Sequence, residues 1–338
     1  MAVLVTGGAG YIGSHTSVAL IEAGFEVVVV DNFCNSKRYI LDRIEQITGK
    51  SVRFYKVNVC DENVLSKVFS DAGDIESVIH FAALKSVGES VEFPEKYIKN
   101  NIGGTEVLLK VMAHHGVSKL VFSSSCTVYG QPETIPVDES APFLPAESPY
   151  GFTKQACEEI ITKHSSHTNG SEGFRSAILR YFNPIGAHPS GLIGELPLGI
   201  PNNLVPFLTQ TVSGLRDSLI VFGDDYPTPD GSCIRDYLHI CDLADAHVAA
   251  LKNIPSGVRP YNLGTGKGVS VLEIIADFKK ATLMEVPYEI GPRRKGDIVQ
   301  IWADPSRAEK ELKWKALRSK EEALIDAWRW QQNLNGAT

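Results

Sequence analysis

A net charge of −7 spread over 338 residues gives no basic face for a nucleic acid, and no run of about 18 apolar residues exists to span a membrane. A 43% hydrophobic and 22% charged composition is that of a globular chain with one large or two smaller cores. The opening MAVLVTGGAGYIGSHT lacks the basic start and long apolar stretch of a signal peptide, and Cys34, Cys60, Cys126, Cys157, Cys233 and Cys241 form no Cys-x-x-Cys pair. The expectation is a cytoplasmic protein with free thiols and no metal.

Along the chain, AVLVTG, FEVVVVDN, SVRFYKVNV, SVIHFAA and KLVFSSS read as strands. Each is a near-continuous apolar run, the pattern of a parallel strand buried on both faces. Between them SHTSVALIEAG, RYILDRIEQITG, ENVLSKVFSDAG and GGTEVLLKVMAHHG read as helices. Strand and helix alternate through residue 125, which predicts an α/β fold with a doubly wound parallel sheet of Rossmann type. SSHTNGSEG (165–173) reads as an exposed turn. After about residue 183 the texture changes. NPIGAHPSGLIGELPLGIPNN is rich in Gly and Pro and reads as a binding loop. SLIVFG, PYNLGTG, VSVLEIIADFKKAT and KEEALIDAWRWQQN then suggest a smaller mixed α/β unit.

Gly7, Gly10 and Gly13 lie between a strand and a helix as G-x-x-G-x-x-G. That pattern suits a tight turn whose backbone approaches a pyrophosphate, with helix N–H groups aimed at the phosphates. The next strand ends in Asp31, 18 residues after Gly13. An acid there can accept from a ribose hydroxyl and would repel a 2′-phosphate, so NAD is favoured over NADP. The glycine spacing resembles that of the extended short-chain dehydrogenase/reductases, which carry a Tyr-x-x-x-Lys pair.

Among 11 tyrosines, only Tyr150 has a lysine four residues on, Lys154. A phenol with a pKa near ~10 is a poor base at neutral pH. Residues four apart share a helix face, so the ammonium is expected to lower the phenol's pKa. Ser123, Ser124 and Ser125 end an apolar strand, where open α/β sheets place their ligands. Polar groups there are costly unless they meet water or ligand.

Further segments, among them HFAALKSVGESV, FSSSCTVYG, SPYGFTK, LRYFNPIGAHPSG, IPNNL, VFGDDYPTPDGSCIRDYLHICDLADAH and PRRKGDI, resemble the UDP-glucose 4-epimerase family in the family's order over nearly the whole chain. The resemblance implies residues 1–182 as an NAD-binding domain, with a segment of about 237–262 returning to it, and 183–338 as a UDP-sugar-binding domain. It implies that Gly7, Gly10, Tyr11, Ile12 and Gly13 hold the pyrophosphate of NAD. Asp31, Asn32, Asn35 and Ser36 would hold the adenosine ribose and a nearby phosphate. Asn58 and Val59 would lie near the adenine, with Asn58 standing where the family usually has Asp. Phe81, Ala82, Lys85, Asn100, Ser123 and Phe182 would line the cofactor's other half. Ser125, Tyr150 and Lys154 would be catalytic, the last two also touching NAD and Ser125 and Tyr150 the sugar. Asn183, Asn202, Asn203, Leu204 and Ile220 would bind the UDP-sugar. So would Phe222, Arg235, Tyr237, Arg294, Asp297 and Ile301.

The implied reaction oxidises the sugar at C4 and reduces it again on the opposite face, without net redox. In this family the position of Ile301 gates N-acetylated sugars, and some members carry Tyr there. The smaller isoleucine leaves UDP-GlcNAc and UDP-GalNAc open as substrates; the competing reading is a neutral apolar exchange. A sugar-nucleotide 4,6-dehydratase needs an acid just after the strand serine, and Cys126 and Thr127 occupy those positions. A non-catalytic NAD sensor would have no need of the Tyr–Lys pair. The resemblance further implies a homodimer, packed through GGTEVLLKVMAHHG and the helix that starts near Tyr150.

Overall fold

The structure is a computed structural model that describes residues 2–167, 173–294 and 297–336. The turn expected at 165–173 therefore lies largely outside the described residues.

The first half alternates as the apolar runs require: β1 (Ala2–Thr6), α1 (Tyr11–Glu22), β2 (Glu26–Asp31), α2 (Tyr39–Thr48), β3 (Arg53–Lys56), α3 (Glu62–Ala72) and β4 (Ile75–His80). Two short helices, α4 (Val87–Glu92) and α5 (Pro94–Tyr97), lead through a π-helical turn (Ile98–Ile102) into α6 (Gly103–His114). Then come β5 (Lys119–Ser125), a 3₁₀ turn (Cys126–Tyr129), the long α7 (Pro149–His167), β6 (Arg175–Tyr181) and β7 (Asn183–Ile185). The remainder runs α8 (Leu204–Val212), β8 (Leu219–Phe222), β9 (Ile234–Arg235), β10 (Tyr237–His239), α9 (Ile240–Lys252) and β11 (Val258–Leu263). It ends with β12 (Val269–Ser270), α10 (Val271–Thr282), β13 (Tyr288–Gly291), β14 (Gln300–Ile301), a second π-helical turn (Ala308–Leu312) and α11 (Lys320–Gly336).

Seven parallel strands form one sheet in the order β11-β6-β5-β4-β1-β2-β3. Alternate residues of each strand feed two cores, one on each face. Val3, Val5, Val29, Ile79 and Val121 pack with α1 and α9, whereas Leu4, Val28, Val30, Val78 and Leu120 pack with α3 and α6. Burial on both faces is why these strands read as unbroken apolar runs.

The strand order reverses between β1 and β4, and that switch point opens a crevice at the carboxyl ends of the strands. By its texture PYNLGTG reads among the pieces of the smaller unit, whereas the family resemblance puts its first residues in the segment of about 237–262 that returns to the first domain, and the strand pairing agrees with the resemblance. Most of it is β11, which pairs residue for residue with β6 and closes the far edge of the large sheet. Its Pro260 breaks the apolar run and hid the strand. The smaller unit holds a third core, with Leu208, Leu219, Val221, Ile274, Phe278 and Leu324, at the pair β8–β13. Among the described residues no helix is long and apolar enough to cross a membrane, and no group of three His, Cys, Asp or Glu could hold a metal.

Candidate active site

The turn after β1 is shaped by what a side chain would hit. Gly7 has φ +70°, and a Cβ there would lie 2.9 Å from the backbone nitrogen of Ala82. A Cβ on Gly13 would sit 2.2 Å from the Gly7 carbonyl oxygen. Gly10 caps α1 with no side-chain hydrogen bond, so helix geometry leaves the N–H groups of Tyr11, Ile12 and Gly13 without intrahelical acceptors. This bare cradle of donors fits a dinucleotide pyrophosphate.

Asp31 ends β2 beside the turn and is buried. Its carboxylate accepts from Ala9 N (3.1 Å), Phe33 N (2.8 Å) and the Ser36 hydroxyl (2.8 Å). A carboxylate offers about four acceptor sites, so room for a ribose hydroxyl remains. Asn32 caps the following turn through Cys34 N, and Asn35 is exposed. Asn58 is exposed with its amide oxygen on Cys60 N (3.0 Å), while the neighbouring Val59 is buried. Phe81 and Ala82 follow β4, their N–H groups on the carbonyl and hydroxyl of Thr6. Asn100 lies in the π-helical turn and donates to Asn101 (3.0 Å).

Three strand-end serines and α7 build the centre. Lys154 is buried and its Nζ donates to the Ser123 carbonyl at 2.6 Å. The same ammonium lies 5.0 Å from the Phe122 ring centre and 5.9 Å from that of Tyr150. Burial lowers Lys154 to about 8, and Cys157 and Glu158 pull it back up. Burial also pushes the Tyr150 phenol up, and a hydrogen bond from Ser125 works against that rise. The phenol's net direction is thus upward, opposite to the lowering expected from its pairing with Lys154. The ammonium is directed at a carbonyl, and desolvation of the phenolate is the larger effect. The backbone N–H of Tyr150 donates to Ser90 Oγ at 3.2 Å.

The third group of residues lies across the crevice. Arg294 donates to Asp297 (2.6 and 3.1 Å) with its guanidinium 5.4 Å from the Phe222 ring centre, and Arg235 stands 3.9 Å from the same carboxylate. Ile220 and Phe222 present an exposed apolar face on β8. Ile301, which pairs with Arg235, packs in one cluster with Cys126, the neighbour of Ser125, and this brings Arg235 to the serine end of β5. Ile301 is 1% exposed, pairs with Arg235 across β14 and β9, and packs in a cluster with Cys126 and Phe182. Tyr237 is buried one residue beyond Asp236, whose carbonyl accepts from Asn183 N (2.9 Å). Asn202 donates to Ser86 (3.2 Å) and Asn203 to Glu195 (2.7 Å), just before Leu204 opens α8.

Other residues here were not singled out in the sequence. The Tyr181 hydroxyl pairs with Ser123 Oγ. His80, held to Thr6 at 2.7 Å, is driven down to about 3 by burial first and by Lys154 second. Asn101 ties Leu84 N and O to Thr153 of α7. Glu195 accepts from Lys85 at 2.9 Å. Each gains its place only through contacts distant in sequence, and only Asn101, in the doublet after Lys99, carried any local signal.

Residues 3–264 match the model of the NAD dependent epimerase/dehydratase family, and the chain belongs to that family. It is 54% identical over 98% of its length to the UDP-glucose 4-epimerase of Schizosaccharomyces pombe, covering 94% of that protein. Two solved structures match it over their whole length and its own. One is the Stenotrophomonas maltophila UDP-glucose 4-epimerase with bound NAD and formylated UDP-arabinopyranose (46% identity, TM-score 0.96). The other is the Bifidobacterium longum enzyme with NAD⁺ and UDP (47% identity, TM-score 0.95). Within its family the chain is one of the UDP-glucose 4-epimerases, enzymes that work with NAD.

Proposed function

We propose that Ser125, Tyr150 and Lys154 carry out the interconversion of UDP-galactose and UDP-glucose at the carboxyl end of β5. The observation that carries this is the buried Lys154 ammonium on the Ser123 carbonyl, with the Tyr150 ring, one helical turn away, centred 5.9 Å from it. When bound, NAD supplies the hydride acceptor and then the donor at C4, so the sugar is oxidised and reduced again. Tyr150 removes the proton of the sugar 4-hydroxyl as general base and returns it after the keto sugar has turned over. Ser125 orients the phenol and the hydroxyl. Lys154 keeps a positive charge beside the phenol below pH ~8, offsetting its reluctance to ionise. Arg235 and Arg294, rigid forks held side by side by Asp297, suit the diphosphate, and the exposed Phe222 suits the uracil face.

Purified protein with no added NAD, incubated with UDP-galactose, should form UDP-glucose. No product even with NAD supplied would overturn the reading.

A second substrate class is favoured by the place of Ile301, in the wall shared by Cys126 and Phe182. We read this wall as the sugar end of the pocket, with isoleucine leaving space for an N-acetyl group. UDP-GalNAc should then be converted to UDP-GlcNAc, and Ile301→Tyr should abolish that conversion while sparing UDP-galactose. If the wild type leaves UDP-GalNAc unchanged, the isoleucine is a neutral exchange. The reading also includes a cytoplasmic location, which six free cysteines support, and a homodimer.

A further inference from the structure

The loop between β7 and α8 carries Glu195, whose side chain is only 11% exposed. A single oxygen, Oε1, accepts from two donors that come from opposite sides of the crevice. One is Lys85 Nζ at 2.9 Å, from the segment after β4; the other is Asn203 Nδ2 at 2.7 Å, from the start of α8.

The loop is fixed from behind. The Glu195 carbonyl accepts from Trp330 Nε1 of α11 at 3.0 Å. Gly194 lies flat on the same indole, where a Cβ would come within 2.4 Å of the ring. Next to this tie, Asn202 donates to Ser86 Oγ at 3.2 Å, so the same two segments meet twice. The Lys85 ammonium also stands 6.0 Å from the ring centre of Tyr11, whose phenol the Glu195 charge helps to raise.

We infer that Glu195 is a positioning residue for both ligands: one carboxylate oxygen, anchored by α11, sets Lys85 for the cofactor and Asn203 for the nucleotide sugar. The inference rests on the assignment of Lys85 to NAD and Asn203 to the UDP-sugar given above. A free lysine must give up many rotamers to meet a ligand, and a preset one gives up few. A charge-assisted hydrogen bond to a mostly buried carboxylate supplies that setting. An exposed ion pair would supply little, but here the acceptor is sheltered and its backbone is pinned.

The test compares wild type with Glu195→Gln, Glu195→Ala, Lys85→Met and Asn203→Ala. NAD retained per chain is measured after gel filtration, and KM for UDP-galactose and kcat are measured with NAD in excess. Thermal melting checks each fold. For Glu195→Ala, a rise of about tenfold in KM and a comparable weakening of NAD retention are expected, with kcat at saturation unchanged. Glu195→Gln keeps the acceptor and loses the charge, so it falls between. Lys85→Met should weaken only NAD retention, Asn203→Ala only KM, and adding Glu195→Ala to Lys85→Met should cost no further NAD.

If Lys85→Met and Asn203→Ala show their effects but neither glutamate variant does, Glu195 does not position them. A change in only one of the two readouts would overturn the shared role. If Lys85→Met and Asn203→Ala themselves change nothing, the ligand assignment fails and takes this inference with it. Should Glu195→Ala fail to fold, Glu195→Gln carries the same comparison at smaller amplitude.

Discussion

Tyr150 and Lys154 lie on one face of α7, and burial pushes both away from their charged forms: the phenol rises and the ammonium falls to about 8. The spacing of the pair was legible because a helix places residues four apart together. The Ser123 carbonyl that receives the ammonium lies 31 positions away, and no local pattern announces it. The sign of the pH dependence follows from the lysine. Its ammonium is complete well below pH 8 and is lost as pH rises through about 8. We therefore expect kcat to fall across that range, measured from pH 6 to 9.5 with both ligands saturating. A flat profile to pH 9.5 would show that the charge is not needed. The phenol is tested separately by Tyr150→Phe, which keeps the ring and its packing. A loss of about 10³ in kcat with KM little changed is expected for a general base. An equal loss in kcat and binding would instead assign Tyr150 to holding the substrate.

At the scale of elements, the strand–turn–helix of the cofactor site was the most legible part, because its glycines answer to local geometry. Gly13 has no room for a side chain: a Cβ would meet the Gly7 carbonyl, a backbone atom that cannot step aside. Gly13→Ala should cost about 2–3 kcal/mol in chemical denaturation and release NAD, since overpacking of this kind strains the turn itself. The joint between α7 and β6 was not legible. There Glu158 and Arg180, both buried, meet at 2.6 Å, with Ser124 donating to the carboxylate and Arg180 to Tyr129. Neither has a local signal in the sequence, because only the packing of the two elements buries them. Arg180→Met leaves a buried carboxylate alone and should lower stability by about 3–5 kcal/mol, whereas the double change Glu158→Gln/Arg180→Met should recover much of it. Urea denaturation of the two variants decides this, and equal losses would show that the shape of the arginine matters more than its charge.

For the whole molecule, the sheet could be read from its apolar runs, but the return of the chain after residue 183 could be read only from the family resemblance and not from local pattern. β11 returns to the large sheet behind a proline, and Arg235 is brought toward the serine end of β5 by the pairing of β9 with β14, whose Ile301 packs with Cys126. One feature belongs to neither sheet nor crevice. Val91 (63% exposed), Phe93, Ile98 and Phe152 (50% exposed) stand out from α4, the turn before α5, the π-helical turn and α7. These elements pack on one another, and we propose that the four side chains make up one apolar face that runs from α7 toward α6. A face of this kind is more than scattered surface apolarity and supports the homodimer reading, with a second copy as its occupant. Sedimentation should give a species of twice the chain mass for the wild type and a monomer for Val91→Asp/Ile98→Asp. A double variant that stays dimeric would place the interface elsewhere. The face also lies behind the active site, because Ser90 of α4 accepts from the Tyr150 backbone. Losing the partner would free α4 to move, and the Tyr150 end of α7 with it. The monomeric variant should accordingly show a lower kcat while the NAD cradle, on the far side of β4, keeps its cofactor.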